Sequence, residues 1–454
     1  MNWLQLMSYQ RFGKKELTSN KNLIRSVFEQ DFDRIIFSHP FRRLQDKTQV
    51  FPLPEHDFVH TRLTHSLEVS SVGRTLGKKV GEIIIKKYPE LSEHHFSQFD
   101  FGAIVAAASL AHDLGNPPFG HAGEDAISDF FKSNPRGLFF KDKVNDKQWA
   151  DFTNFEGNAQ GFRILNSGRA LKLTMASLAA FTKYPREAHF SDIDPNRKSQ
   201  KKYGFFQSEK DVFIKLADEV GLKNLSFNNE MAWTRHPLAF LVEAADDICY
   251  SIIDLEDGCR LGLVSYEETK QLLASILGKM FDEEKLEKIT STEEKISLLR
   301  AMSINMLIDQ CTEVFIENER AILSGQFDAA LTDLIESKTI LKDISKLSIE
   351  KIYRSRIVLE TETAGYEVID GLLESFTSAV FAYTIDKNRC TSREKSLVRL
   401  LPSEVKHQLS IEKDPYMLIM NVIDFVSSMT DTHAISLYRK IKGISLPSGF
   451  SVKY

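Results

Sequence analysis

The segment AHDLGNPPFGHAGED, residues 111–125, concentrates groups that can bind a metal ion or transfer a proton. His112 and Asp113 are adjacent there, and they directly follow the apolar run FGAIVAAASL. That run is rich in alanine, which suits a helix packed tightly against its neighbours. An unpaired carboxylate at the end of such a buried helix would be costly. A metal ion would remove the cost, because imidazole nitrogen and carboxylate oxygen are both good ligands.

Two ligands do not complete a metal site, and other parts of the chain offer partners. His65 lies in the helical pattern of RLTHSLEV, and Asp246 and Asp247 lie in EAADDICYSIIDLED. Asp246, Tyr250 and Asp254 are spaced at i, i+4 and i+8, so they share one helix face. We therefore take Asp246 rather than Asp247 as the ligand. The sequence predicts a mixed nitrogen and oxygen site for a divalent metal, formed by His65, His112, Asp113 and Asp246.

A second pair of a histidine and an acid follows a break in the same segment. His121 comes shortly after Pro117-Pro118, and Glu124 lies three residues further on. This spacing places the carboxylate within reach of the imidazole, where it could orient or polarise the ring. The alternative is a histidine at a helix N-terminus beside a glutamate that the helix dipole favours. A hydrophobic core has no structural use for so many ionisable groups, which favours a chemical site.

Composition restricts the class of protein. Of the 454 residues, 42% are hydrophobic and 27% are charged, and the net charge is -5. These values are typical of a soluble protein and give no global signature of nucleic-acid binding. The four cysteines are far apart and form no CxxC pair, which argues against disulfides and thiolate metal sites. Because the start lacks a signal-peptide pattern and no apolar run could span a bilayer, we expect a cytoplasmic protein without membrane contact.

The elements that must position these residues are predicted to be helices. Apolar residues recur at helical spacing in the segments 64–85, 98–112, 236–257, 294–320, 365–384 and 415–427. Strand-like alternation is confined to a candidate hairpin formed by VFPLPEH (50–56) and the following DFVHTR. We therefore expect a mostly α fold with at most a short β-hairpin.

The same pattern suggests how the chain is divided. The least periodic stretches, 132–154 and 185–206, are predicted to be surface loops. Near 260–280, motifs of small residues give way to long charged helices. We expect a catalytic part at 1–265 and a C-terminal helical part at 266–454 that packs on it and contributes to the substrate site and to oligomer contacts.

Longer strings point to a family. In chain order they are FRRLQDKTQVF, RLTHSLEV, AHDLGNPPFGHAGE, NFEGNAQGFRIL, KYGFFQSE, EAADDICYSIIDLED, AGYEVIDGLL and MTDTHAISLYRKI. This ordered set resembles the bacterial dGTPase family, which are deoxynucleoside triphosphate triphosphohydrolases of the HD-domain superfamily. The resemblance covers nearly the whole chain and is least in the stretch 265–350. It implies the helical fold of an HD domain with an additional C-terminal helical region.

The resemblance implies a reaction and a metal. Members bind a divalent metal through a His, His-Asp and Asp set, which corresponds here to His65, His112, Asp113 and Asp246. They hydrolyse a dNTP at the α-phosphate and release the deoxynucleoside and intact tripolyphosphate, with dGTP the expected substrate here. By the same resemblance, His121 and Glu124 form the acid/base pair beside the metal. Magnesium or manganese is the expected metal, and iron, cobalt or zinc would also suit the ligands.

Further motifs of the family imply where the nucleotide binds. Hydrogen-bonding side chains for the triphosphate are implied at Asn158, Gln160, Lys183, Tyr184 and Lys202, with Arg62 near the scissile phosphate. The sugar contacts implied are Gln45, Tyr250 and Asp254. Glu362, in ETAGYEV, is a further candidate for reading the base, and it could do so across a subunit interface.

The family resemblance also implies partners, and two other functions stay open. A homo-oligomer is implied, and some members bind single-stranded DNA, for which the basic loop RKSQKK (197–202) is a candidate. Taken alone, that loop is a solvated surface. Another HD-domain enzyme, such as a nucleotidase or a phosphodiesterase for (p)ppGpp or cyclic nucleotides, would lack the deoxyribose and triphosphate motifs. A non-enzymatic module that binds nucleotides or single-stranded DNA would usually have lost a metal ligand.

Overall fold

Helices form nearly all of the regular structure of the chain. The computed structural model describes residues 1–13, 25–50, 60–166, 171–388 and 390–445. Within these ranges, β structure is limited to isolated bridges between single residues, so the prediction of a mostly α fold is confirmed. The candidate hairpin falls largely on residues 51–59, outside the described residues. Among the described helices, none combines the length and the apolar character needed to cross a membrane.

The described helices differ widely in length and in the length of the segments that connect them. The first are α1 (Trp3–Leu6), α2 (Val27–Ile36), α3 (His39–Arg43), α4 (Arg62–Lys87), α5 (Glu90–Glu93), α6 (Gln98–Ala111), α7 (Gly120–Ser133) and α8 (Pro135–Leu138). Next come α9 (Asp146–Thr153), α10 (Gly157–Asn166), α11 (Met175–Phe181), α12 (Lys210–Val220), α13 (Ala239–Arg260), α14 (Tyr266–Leu277), α15 (Glu283–Glu287) and α16 (Thr292–Glu317). The last are α17 (Glu319–Ser324), α18 (Lys338–Ser348), α19 (Arg356–Thr384), α20 (Ser392–Leu400), α21 (Ser403–Ile411), α22 (Pro415–Ser427) and α23 (Asp431–Ile441). A π-helical turn, Ile349–Tyr353, joins α18 to α19, and short 3-10 turns lie at Leu44–Asp46, Lys141–Lys143, Lys198–Gln200, Gln207–Glu209, Gly278–Met280 and Leu331–Asp333.

The helical segments predicted from apolar spacing are confirmed, and they correspond to α4, α6, α13, α16, α19 and α22. One of the two predicted loops is wrong. The stretch 132–154 contains α8 and α9, because its aromatic side chains pack inward: Phe140 and Phe152 are buried in the core. The stretch 185–206 is irregular as predicted, apart from one 3-10 turn and an isolated bridge at Arg186. It is not confined to the surface, however, because Tyr203, Phe205 and Phe206 are buried in the core.

Helices α4 and α6 are packed closely enough to bring two histidines together. A Cβ atom added to Gly77 of α4 would lie 2.7 Å from the carbonyl oxygen of Phe101 in α6, so this contact requires glycine. Helix α6 is buried along nearly its whole length. His65 lies in the first turns of α4 and His112 at the end of α6, and their ring centroids are 5.3 Å apart. Helix α13 packs on both helices and brings a third element to the same place.

Two clusters of buried hydrophobic side chains hold these elements in position. The first surrounds α4, α6 and α13 and extends into α14, α16 and α18. The second packs α19 and α22 against α7 and α9. Both clusters take residues from the two predicted parts of the chain, 1–265 and 266–454, and that division stays a proposal. The C-terminal helices therefore support the helix that carries His121.

Candidate active site

The ends of α4 and α6, the start of α7 and the middle of α13 surround a cavity of about 560 Å³. This volume is within the range of sites that hold a nucleotide-sized ligand. Most of the side chains predicted for the site line it, namely Arg62, His65, His112, Asp113, His121, Glu124, Asn158, Lys183, Tyr184, Lys202, Asp246, Tyr250 and Glu362. The structure thus brings together residues that are up to 300 positions apart in the chain.

The predicted metal ligands converge at the bottom of this cavity. One carboxylate oxygen, Asp246 Oδ1, lies 3.3 Å from His65 Nε2 and 3.4 Å from His112 Nε2. Asp113 Oδ1 lies 3.5 Å from His112 Nε2. His112 donates its Nδ1–H to the carbonyl of Ser109 at 2.7 Å, so Nε2 is the ring nitrogen that could bind a metal ion.

The residues present fit a divalent metal ion. Ligand atoms of His65, His112 and Asp113 all lie within 4.8 Å of one another, and all three side chains are buried. Imidazole nitrogens combined with carboxylate oxygens suit Mg, Mn, Fe, Co or Zn. The second oxygen of Asp113 accepts a hydrogen bond from Arg62 at 2.7 Å, and its first accepts one from Asn116 at 2.7 Å. Burial raises the pKa of the Asp113 carboxyl, but the charges of Arg62 and His112 outweigh it and hold that pKa well below its usual range.

Asp246 and Asp247 have different partners. Asp246 reaches the two histidines and also accepts a hydrogen bond from the Lys183 ammonium at 2.8 Å. Asp247 turns to the Thr332 hydroxyl, which donates to it at 2.6 Å. Burial and the neighbouring Glu243 raise the pKa of the Asp247 carboxyl to about 7, which makes it a poor anionic ligand. This geometry supports Asp246 as the ligand.

His121 and Glu124 form a hydrogen-bonded pair on the cavity wall. His121 Nδ1 lies 2.7 Å from Glu124 Oε2, and Glu124 Oε1 accepts a hydrogen bond from the amide of Gly157 at 2.8 Å. The glutamate is buried, whereas 78% of the histidine side chain is exposed. The hydrogen bond and the charge of Glu124 raise the pKa of the His121 imidazole above its ordinary value of 6.5. The pair therefore presents a protonatable Nε2 to the cavity.

Cationic side chains line the remainder of the wall. Among the described residues, Arg62, Lys183 and Lys202 were expected from the sequence motifs, and Lys201 is an addition. Lys201 is exposed and directly precedes Lys202, so the run RKSQKK contained the signal for it. Lys202 lies 3.1 Å from a carboxylate oxygen of Glu156 and 3.9 Å from one of Glu124. These four side chains are cationic groups of the cavity wall that could contact a polyphosphate.

The opposite region is aromatic. The rings of Tyr250 and Tyr353 stack with centroids 5.6 Å apart, and both line the cavity. Tyr353 donates its hydroxyl hydrogen to Asp254 Oδ2 at 2.7 Å. Asp254 is buried behind this pair and does not line the cavity, so the implied sugar contact is not formed by that carboxylate as it stands. Tyr353 lies at the end of the π-helical turn, just after the stretch 265–350, for which the family resemblance implies no site residue.

Two other predicted residues are not brought to the cavity. Gln45 is exposed on the 3-10 turn, and Gln49, four residues later, lines the cavity instead. Gln160 is buried and donates to Asp424 Oδ1 at 2.8 Å. Since two residues correspond to a rotation of about 200° on a helix, α10 directs Asn158 to the cavity and Gln160 away from it.

Comparison with known proteins identifies the class to which this fold and site belong. Residues 62–149, which include His65, His112 and Asp113, match the family model described as HD domain. Residues 334–440 match the model described as phosphohydrolase-associated domain. An all-helical body with a His, His-Asp and Asp centre is therefore an HD-domain protein with the helical extension that accompanies phosphohydrolases.

Full-length relatives narrow the class to one family. A Synechocystis protein named deoxyguanosinetriphosphate triphosphohydrolase-like is 43% identical, with 98% of this chain and the whole of the relative aligned. A similarly named protein of Pseudomonas aeruginosa is 37% identical over 99% of this chain and its own whole length. The deoxyguanosinetriphosphate triphosphohydrolase of Salmonella typhimurium is 30% identical over 98% of both chains. This chain belongs to the deoxyguanosinetriphosphate triphosphohydrolase-like family and is an enzyme of its hydrolase class.

Proposed function

We propose that this enzyme hydrolyses a deoxynucleoside triphosphate at the α-phosphate and releases the deoxynucleoside and tripolyphosphate, with dGTP the expected substrate. The observation that carries the proposal is the sharing of one cavity by a His/Asp centre, a cluster of cationic side chains and a pair of stacked tyrosines. In this arrangement the cationic side chains would bind the triphosphate, the His/Asp centre would lie at the scissile phosphorus, and the tyrosines would contact the sugar. The name of the Salmonella typhimurium relative supports the same choice.

We further propose that magnesium or manganese is held by His65, His112, Asp113 and Asp246, with iron, cobalt or zinc as alternatives. When bound, such an ion would supply charge stabilisation to the phosphate oxygens and acidify a water molecule. Arg62 is fixed beside this centre by its bond to Asp113, so its guanidinium is directed toward the scissile phosphate. Lys183, Lys201 and Lys202 would neutralise the charge that develops on the departing tripolyphosphate.

The proton for the leaving group is assigned to His121. The oxygen of a water molecule forms a bond to the α-phosphorus and the water releases a proton to the solvent. The bond from that phosphorus to the 5′-oxygen breaks, and the 5′-oxygen must gain a proton. The exposed imidazole is suited to donate it, because Glu124 holds its Nδ1 and favours the protonated ring. Glu124 is itself anchored by the amide of Gly157, so the pair has a defined orientation.

Identification of the products tests this function most directly. Incubation of each dNTP with the purified protein and Mg²⁺ or Mn²⁺, followed by anion-exchange and reversed-phase chromatography, is expected to yield deoxynucleoside and tripolyphosphate in equal amounts. Formation of a monophosphate and pyrophosphate, or of a diphosphate and phosphate, would contradict attack at the α-phosphorus. Turnover of nucleoside monophosphates or cyclic nucleotides in preference to dNTPs would favour another HD-domain phosphohydrolase.

Discrimination against a 2′-hydroxyl is expected from the tyrosine pair. A sugar laid along Tyr250 and Tyr353 would bury its 2′ position against aromatic carbon. A buried hydroxyl without a partner costs about 1–3 kcal/mol, which corresponds to roughly five- to 150-fold in rate. We expect kcat/KM for dGTP to exceed that for GTP by more than about tenfold, and Tyr250→Ala to narrow the gap.

The control for this experiment is Tyr383→Ala, because Tyr383 is an exposed tyrosine that does not line the cavity. It should leave the dGTP to GTP ratio unchanged. Equal kcat/KM for the two nucleotides in the unmutated enzyme would exclude the sugar site. A ratio unaffected by Tyr250→Ala would assign the discrimination to other residues, with Gln49 the next to test.

We propose two further partners, a second copy of this chain and single-stranded DNA. A homo-oligomer is proposed, with Glu362 reading the base either within one chain or at a subunit interface. For single-stranded DNA, the loop 197–202 is a less favourable site than its charge suggests, because Arg197 pairs with Asp328 and Lys198 with Asp333. Binding of single-stranded DNA that weakens steeply as the salt concentration rises would support this loop as the site.

A cytoplasmic location is also proposed, since the four cysteines are free thiols and suit a reducing compartment.

A further inference from the structure

The C-terminal helix α23 contacts two segments of the cavity wall through one buried side chain. Asp431, the first residue of α23, is 1% exposed and does not line the cavity. Its Oδ1 accepts a hydrogen bond from the amide of Phe119 at 3.0 Å. Its Oδ2 accepts one from the amide of Thr48, also at 3.0 Å, and another from the Thr48 hydroxyl. Three donors from distant parts of the chain therefore meet on one carboxylate.

The segment that contains Phe119 sets the direction in which α7 begins. Phe119 has a φ of 64° and Gly120 a φ of 59°, so two consecutive residues adopt the left-handed conformation. For a phenylalanine this conformation is strained and requires support from its surroundings. His121 follows immediately in the first turn of α7. His121 and Glu124 both lie in this turn, so a rotation of the turn would move the pair together relative to the predicted metal ligands and would pull Glu124 away from the amide of Gly157 that holds it.

The second segment contributes to the wall of the same cavity that His121 lines. Thr48 lines the cavity, as does the next residue, Gln49. Lys47, which precedes Thr48, also connects these parts of the chain. Its buried ammonium donates to the carbonyl of Ser427, at the end of α22, at 2.8 Å, and to the carbonyl of Asn116. The junction between α22 and α23 thus holds the segments 47–48 and 116–119 in fixed relation.

We propose that Asp431 is a positioning residue that acts through Phe119 and Thr48 to hold His121 in its catalytic orientation. The inference rests on the proposed role of His121 and extends it to a residue that lies 310 positions away in the chain. A carboxylate is needed here because both of its oxygens accept hydrogen bonds. An asparagine offers one accepting oxygen, and its amide nitrogen would face a donor. The start of α23 also favours a negative charge.

The variant Asp431→Asn tests the proposal. We expect kcat for dNTP hydrolysis to fall by at least about tenfold, since small displacements of a catalytic group have large effects on rate. KM for the dNTP and the affinity for Mn²⁺ should be little changed, because the metal ligands and the cationic wall do not contact Asp431. Thr48→Val removes only one of the three donors and should cause a smaller loss of kcat. It also provides the test if Asp431→Asn does not fold.

The matched control is Asp370→Ala. Asp370 is a carboxylate of the C-terminal region that accepts hydrogen bonds from Asn134, at the far end of the same helix α7. A general loosening of the contact between the C-terminal helices and α7 would lower kcat in this variant as well. If Asp370→Ala and Asp431→Asn have equal effects on kcat, Asp431 is an ordinary packing residue and the proposal is overturned.

A readout that does not depend on turnover is the pKa of His121, measured from the ring resonances by NMR. In the unmutated protein that pKa should lie above 6.5, because His121 is held against Glu124. In Asp431→Asn it should fall toward 6.5. An unchanged His121 pKa together with an unchanged kcat would refute the positioning role. If the unmutated protein fails to hydrolyse any dNTP, the proposed function is wrong, whereas the shift of the His121 pKa still decides whether Asp431 positions that ring.

Discussion

Asp246→Ala is expected to lower kcat/KM for dNTP hydrolysis by at least about 10³-fold, because the charge stabilisation of a bound divalent ion is worth several kcal/mol. Asp246 Oδ1 is the atom that lies near both His65 Nε2 and His112 Nε2. Its removal should also lower the affinity for Mn²⁺, which isothermal calorimetry measures without any turnover. His65→Ala and Asp113→Ala should have comparable effects on both quantities.

Asp247→Ala is the matched control for that experiment, since it removes the adjacent carboxylate of the same helix. Asp247 bonds to Thr332 and has a raised pKa, so Mn²⁺ should bind this variant nearly as well as the unmutated protein. Activity should fall much less than in Asp246→Ala. The opposite ranking of the two variants, in Mn²⁺ affinity and in rate, would mean that the assigned ligand is the wrong one.

The cluster of histidines and carboxylates that we propose as the metal centre could be predicted from the sequence because each of its parts is marked locally. His112 and Asp113 are adjacent in the chain, and the buried helix before them is visible in the run of alanines. The step of four residues from Asp246 to Tyr250 is preserved because α13 is a regular helix. Periodicity therefore indicated the helices and, for Asp246 and Tyr250, the face presented to the cavity, whereas Asp254 on the same face is buried behind Tyr353.

Residues at irregular turns could not be assigned in this way. Gln45 lies within the 3-10 turn Leu44–Asp46 and is exposed, whereas Gln49 follows that turn and lines the cavity, so no regular period relates the two side chains. Tyr353 reaches Tyr250 from a π-helical turn, a geometry that apolar spacing does not reveal. Sequence spacing assigns residues well within one helix and poorly across a turn.

Contacts between residues far apart in the chain are the other feature of the site that the sequence did not predict. Gln160 belongs to a motif of the family, but its side chain bonds to Asp424, which is 264 positions away. Asp431 contacts Thr48 and Phe119 across separations of 383 and 312 positions. No local pattern contains such pairings, because they arise only when α22 and α23 pack against the N-terminal part of the chain. The role of that packing in the site became visible only in the folded chain.

His121→Ala is expected to lower kcat by about 10²- to 10⁴-fold, the usual contribution of a general acid or base. The affinity for Mn²⁺ and for a dNTP should be retained, because His121 is not among the proposed metal ligands and most of its side chain faces open space. The measurement is single-turnover kinetics combined with binding of a dNTP in the presence of Ca²⁺. A loss smaller than about tenfold would contradict the assigned role.

The matched control is His189→Ala, which removes another exposed histidine that faces a glutamate. His189 Nε2 lies 3.5 Å from Glu230 Oε1, and His189 does not line the cavity. This variant should retain the kcat of the unmutated enzyme. An equal loss of kcat in both variants would indicate a general effect on the fold and not the chemistry of one imidazole.

The pH dependence of kcat tests whether His121 donates a proton or accepts one. The pKa of His121 is raised above 6.5 by the hydrogen bond and the charge of Glu124, while Lys202 and Arg62 act in the opposite direction. If the ring donates a proton to the 5′-oxygen, activity depends on its protonated form, so kcat should decline on the alkaline side at a pH above 6.5. Glu124→Gln removes the negative charge that favours this form and should move the decline to lower pH. A decline on the acidic side that moves with Glu124→Gln would show instead that the unprotonated ring acts, as a base toward the attacking water.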